Sequence, residues 1–163
     1  MILSHAWRAI PIFLIALVLL IPVAEAQQPF DITYCSSGVM TTVSASPELT
    51  VLSLDTKGIF RSNHENKVFD NVTFHSVVVA QVMPGKVTGT GYCKCLDPDG
   101  DIIVAEVILA GPEDTYKFIW GTGKWKGIKG GGKALLLTPQ AKSITPDSRQ
   151  ICRKFTGTFE LPK

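Results

Sequence analysis

The sequence predicts an all-β domain, an eight-stranded antiparallel β-barrel, and three observations carry that expectation. Apolar and polar residues alternate with period two in run after run, and no segment keeps a helical period for three turns. The runs are short and separated by turn residues: Met83-Pro84-Gly85, Asp97-Pro98-Asp99-Gly100-Asp101 and Gly111-Pro112-Glu113-Asp114. Residues 121–133, GTGKWKGIKGGGK, hold six glycines and four lysines around Trp125. Glycine at that density lets backbones approach closely or take positive φ, as tight turns and strongly curved sheets require.

Residues 1–26 read as a signal peptide. Arg8 lies in a short basic start, an apolar stretch runs from about Ala9 to Ile21, and Ala24-Glu25-Ala26 supplies the small residues a leader peptidase needs. The apolar stretch is short for about 30 Å of hydrocarbon and no stop-transfer charges follow it, so no stable membrane span is expected after cleavage before Gln27. Removing 26 of 163 residues leaves 137, a size for one domain, 27–163, with one core.

Gln27–Leu49, rich in Ser, Thr and Pro, is expected to begin as a loop. Strands are expected near Val51–Leu54, Gly58–Arg61, Thr73–Val82, Lys86–Leu96, Ile102–Leu109, Tyr116–Trp120, Lys133–Leu137 and Cys152–Glu160, with Thr138–Arg149 a polar connection. Eight strands at this spacing fit an up-and-down barrel or a sandwich. The pairs Gly89/Gly91 and Gly121/Gly123, with Gly157, ease the bending that barrel closure demands, and closure leaves no open edge. Val77–Ala80 and Ile102–Leu109 are apolar on both faces except for Glu106, which implies a cover over the exterior; helices or a second copy would supply it, and a homo-oligomer is expected.

A formal net charge of +2 is too mild to argue for nucleic acid as a partner. The six lysines between Thr115 and Pro146, with no acid among them, read as a solvated face. Cys35, Cys93, Cys95 and Cys152 all follow the leader, and an even count in an oxidising compartment favours disulfides. Cys93 and Cys95 share one strand face, where a mutual bond would be strained, so one is expected to reach Cys35 and the other Cys152.

The residue types that carry chemistry are sparse. Residues 127–134 match phosphate-loop spacing until Ala134 replaces the magnesium-binding hydroxyl, and no helix of useful length follows. Asp97, Asp99 and Asp101 alternate like calcium ligands, but glycine and glutamate are not at the loop positions that would complete the site, so a hairpin turn explains them and no metal is expected. No cofactor is expected, no catalytic residue is assigned, and no nucleophile stands at a recognisable spacing from a base. Glu106 and His75 are the candidates for proton transfer, Glu106 because it interrupts an apolar strand. Tyr92, Glu106, Tyr116, Phe118, Trp120 and Trp125 are the expected lining of a ligand cavity.

Gly91-Tyr92-Cys93, Asp97-Pro98-Asp99-Gly100-Asp101, the run Trp120–Gly132 and Gly157-Thr158-Phe159-Glu160-Leu161-Pro162 together resemble a group of small exported bacterial proteins. Their glycine-rich turn is similar to that of the allene oxide cyclase and dirigent barrels, within the broader lipocalin-like (calycin) shape. The resemblance covers about residues 55–163. It implies an eight-stranded barrel, often trimeric, with a cavity for hydrophobic small molecules; its motifs are structural and carry no catalytic residue over.

The expected function is a secreted or periplasmic barrel that holds a small hydrophobic or amphipathic ligand and does no chemistry of its own. One alternative is an isomerase or cyclase of the allene oxide cyclase type. The other is a disulfide-stabilised structural or interaction protein with a filled lumen.

Overall fold

The computed structural model describes residues 27–111 and 113–162; the expected leader lies outside them. Eight antiparallel strands close into a barrel in simple sequential order. They are β1 (Gln28–Ala45), β2 (Thr50–Ser62), β3 (Thr73–Met83), β4 (Lys86–Leu96), β5 (Ile102–Ala110), β6 (Glu113–Gly121), β7 (Lys129–Leu136) and β8 (Ser148–Glu160), with one short 3-10 turn at Gly123–Trp125. Closure comes from β1 against β8, in register from Gln28↔Phe159 to Val39↔Ser148. Among the described residues no helix is long and apolar enough to cross a membrane.

Two expected elements are corrected. Gln27–Leu49 is not a loop but mostly β1, whose Phe30, Ile32, Tyr34 and Ser36 turn inward while Asp31, Thr33 and Ser37 face outward. Thr33 and Ser37 belong to the outer face of a strand, where threonine is favoured, while Ser36 is buried on the inner face. Val51–Leu54 and Gly58–Arg61 are one strand, β2, which continues through Asp55-Thr56-Lys57.

The disulfide pattern is also corrected. Cys35 and Cys152 are direct cross-strand partners on β1 and β8 and bond to each other, leaving Cys93 and Cys95 free and buried. Cys35 and Cys152 point outward, whereas Cys93 and Cys95 both point into the barrel from β4. The wall of the barrel therefore separates the two pairs.

Strong curvature brings backbones close on the inside. A Cβ at Gly91 would run into the Val77 carbonyl and the Val78 backbone on β3, so only glycine fits there. Gly130 opens β7 at φ +100° against the Thr158 backbone, a conformation and a contact that again require glycine.

One end of the barrel is packed shut. The β2–β3 connection folds beneath it, with the Phe60 amide donating to the Val72 carbonyl and the Asn71 amide to the Phe60 carbonyl, and this drives Phe69 and Val72 inward. Phe69 stacks on Trp125 at 5.0 Å and meets Phe30 and Phe159 edge-on at 5.2 Å each. Phe118 and Phe155 continue this aromatic layer.

The two motifs that dominate the sequence meet at this end. Asp97 and Asp99 of the β4–β5 turn bind the Lys124 ammonium at 2.8 and 2.6 Å, Asp101 accepts the Lys124 amide, and Asp97 also accepts from the Trp125 indole. The acidic turn thus holds a lysine and seats the tryptophan plug.

Candidate functional site

The other end of the lumen is open. Beneath the β1–β2, β3–β4, β5–β6 and β7–β8 connections lies a chamber of about 320 Å³, walled by Met40, Leu52, Ala80, Val82, Val87 and Leu136. Below it a narrower annex of about 50 Å³ is bordered by the hydroxyls of Tyr34, Ser36, Thr56, Ser76 and Tyr116. Leu54, Leu109, Asp114, Arg149 and Arg153 line both spaces and mark the junction.

The junction is charged although it lies inside the barrel. Arg153 Nη1 donates to Asp114 Oδ2 at 2.9 Å, with side-chain exposures of 9% and 6%, and also to the Ala134 carbonyl at 3.3 Å. Burial raises the Asp114 pKa above the ordinary carboxylate value; Arg153 and then Arg149 oppose that rise without cancelling it. Arg149 is half-buried, and burial followed by the Arg153 charge lowers its pKa. The Tyr34 and Tyr116 hydroxyl oxygens lie 2.9 Å apart across the floor, and burial pushes both phenols well above their usual values. They are neutral hydrogen-bonding groups at physiological pH.

The expected lining residues divide between the two faces of the wall. Tyr116 borders the annex, Phe118 belongs to the aromatic layer, and Trp125 is the plug. Tyr92, 59% exposed, Glu106 and Trp120, 53% exposed, lie on the barrel exterior, with Glu106 in register with Tyr92 and Lys117.

Trp120 changes side because of a bulge. Val104 pairs with Trp120 and Ala105 with Phe118, so Ile119 is an extra residue and the alternation that would put Phe118 and Trp120 on one face breaks. His75 is also exterior, 2.8 Å from Asp55. Among the described residues no group of three His, Cys, Asp or Glu side chains is placed to hold a metal.

The comparisons with known proteins fit this architecture. The pterocarpan synthase dirigent protein GePTS1 superposes with a TM-score of 0.54 at 11% identity, over 89% of this chain and 96% of that one. The pterocarpan synthase dirigent protein PsPTS1 gives 0.52 at 10% identity, over 83% and 97%. The barrel is dirigent-like. No family model and no curated protein matches the sequence. At such identity the likeness is one of fold, and it spans nearly the whole of both dirigent chains.

Four residues of this dirigent-like lumen escaped the sequence reading: Tyr34, Asp114, Arg149 and Arg153. Arg153 left a usable signal, because it shares the period-two face of Phe155, Gly157 and Phe159 and so had to point inward. Asp114 shares the period-two face of Tyr116 and Phe118 in the same way, but it adjoins a turn signal and reads as part of it.

Proposed function

We propose that the chain is an exported binding barrel that takes a small amphipathic molecule into the open half of its lumen and performs no chemistry of its own. The observation that carries this reading is the 320 Å³ chamber with apolar walls and a polar floor, a size and lining typical of small-molecule sites. A filled lumen, which a purely structural role would favour, is found only at the plugged end. The Cys35–Cys152 bond supports export, because such bonds persist in oxidising compartments. The exterior supports self-association: Val77, Val79, Tyr92 and Ile108 form an exposed apolar patch across β3, β4 and β5.

Native mass spectrometry of protein purified from its own source tests the reading. A co-purifying mass that is lost in Leu52→Trp, which fills the chamber, supports it; a mass that persists in Leu52→Trp overturns it.

A second reading, an isomerase or cyclase, draws on the dirigent neighbours that are named as synthases and on Asp114, a buried carboxyl with a raised pKa beside a tyrosine pair. It moves the proton-transfer role from Glu106 to Asp114. Incubation of the co-purified compound with fresh protein separates the two readings, since a binder returns it unchanged.

A further inference from the structure

We infer that the lumen selects an amphipathic organic anion: a molecule whose carboxylate sits against Arg149 at the junction while its apolar body fills the 320 Å³ chamber. This rests on the lumenal-binding reading above and adds to it the charge and orientation of the ligand.

The argument is one of unbalanced charge. Two guanidinium groups, Arg149 and Arg153, line the junction with one carboxylate, Asp114. Asp114 is committed to Arg153 by the 2.9 Å contact, and Arg153 has the Ala134 carbonyl as a further acceptor. Arg149 has no ion pair and no side-chain hydrogen bond to another described residue. Asp114 is near enough to act on Arg149 through its charge but is in contact with Arg153, so Arg149 is a cation partly stripped of water with no acceptor in contact. That costs free energy, and a bound anion would remove the cost.

The walls dictate the rest of the ligand. Met40, Leu52, Ala80, Val82, Val87 and Leu136 offer a ligand body no hydrogen bonds from their side chains, so that body is apolar. The annex below carries the hydroxyl residues Tyr34, Ser36, Thr56, Ser76 and Tyr116 among apolar Phe74, Val78 and Ile151, and has room for a few waters or one small polar group. In the Tyr34–Tyr116 pair one hydroxyl donates to the other, so the accepting hydroxyl keeps its own proton to offer. A carboxylate at the junction would meet a guanidinium on one side and that hydroxyl on the other. A cationic ligand would instead face two arginines and is disfavoured.

Three probes with the same eight-carbon body test this by calorimetry on the oxidised protein: octanoate, octanol and octyltrimethylammonium. Octanoate is expected to bind at least tenfold tighter than octanol, and the ammonium weakest. Arg149→Gln should bring octanoate down to the affinity of octanol and leave octanol unchanged, whereas Arg149→Lys should retain most of the preference. Lys133→Gln, which removes an exterior lysine paired with Glu113, should change none of the three.

Equal affinities for the three probes, or octanoate binding indifferent to Arg149→Gln, overturn the anion inference while lumenal binding stands. Failure of all three to bind, or binding that survives Leu52→Trp, overturns both.

Discussion

Removing the Cys35–Cys152 bond should cost this barrel several kcal/mol without opening it. The two cysteines are 117 residues apart, so the crosslink closes most of the chain into one loop in the unfolded state. The chain-entropy relation gives about 16 cal/mol/K for a loop of that length, or about 4.9 kcal/mol at 25 °C. Residual compaction of the unfolded chain trims that figure, so about 3 to 5 kcal/mol is expected. The folded state keeps its shape, because the hydrogen-bonded ladder between β1 and β8 runs from Gln28 to Val39 and closes the barrel with or without the sulfurs. The assay is urea unfolding of the oxidised protein against Cys35→Ser/Cys152→Ser. With a slope of about 2 kcal/mol/M, the midpoint should fall by about 1.5 to 2.5 M. A loss below about 1 kcal/mol, with circular dichroism unchanged, would refute the argument that this bond acts chiefly on the unfolded chain.

Asp114→Asn should destabilise by about 3 to 5 kcal/mol, because it leaves Arg153 charged and buried, whereas Asp114→Leu/Arg153→Met should recover most of that loss; equal losses in the two variants would contradict a charge-burial cause. Burial alone would raise the Asp97 pKa, but the Lys124 ammonium, the Asp99 amide and the Trp125 indole outweigh it and hold the pKa below its ordinary value. Its contribution is therefore complete above the unfolded-state value of about 3.9 and is lost as the pH falls through the lower folded value. The stability gap between wild type and Asp97→Asn should accordingly narrow as the pH falls below about 3.9, and a gap that does not narrow in acid would count against it. Cys93 and Cys95 are both buried, and the hydrogen bond to Cys93 together with burial pushes the Cys95 thiol well up. Because burial denies a reagent access, thiol titration should find both cysteines unreactive in the native protein and both reactive in denaturant. Val79→Arg places a charge in the exposed patch of β3; sedimentation should show wild type as an oligomer and the variant shifted toward monomer.

β3, β4 and β5 were legible because each is a run rich in β-branched and apolar residues bounded by turn signals, with a nearly continuous inward set of Phe74, Val78, Ala80, Cys93, Cys95, Ile103, Ala105 and Val107. β1 was not, since Ser36 and Gly38 interrupt its inward face and Asp31, Thr33 and Ser37 lie on its outward face, which makes a long strand look like a polar linker. β2 looked like two strands for a related reason: Thr56 and Gly58 interrupt its inward face between Leu54 and Phe60, and Thr56 borders a lumen that carries hydroxyls at that level. The two errors cancel in the strand number, so the expected eight was reached from an incorrect list. Barrel closure stood on firmer ground, because the glycines at 89, 91 and 157 mark places where curvature leaves no room for a side chain.

The two ends of the lumen were written in different kinds of signal, which explains why one was legible and the other was not. The plugged end is made by Trp125 and the acidic turn, side chains large or clustered enough to notice singly, although what the turn held became evident only when Lys124 was seen between Asp97 and Asp99. The open end is made by pairs. Tyr34 meets Tyr116 and Asp114 meets Arg153, partners that lie on different strands and far apart along the chain. A charge inside a barrel is tolerated because its partner is also inside, so the residue type of neither member suggests an inward position, and only the strand period it shares with its neighbours does. Arg149 is the instructive residue, because it follows the same inward period as Arg153 and Phe155 yet has no ion-pair or side-chain hydrogen-bond partner among the described residues. The physical rule that hides Asp114 and Arg153 from a linear reading is thus the rule that singles out Arg149 in three dimensions: it is the lumenal charge without a contacting partner, and the proposed anion is the partner that would meet it.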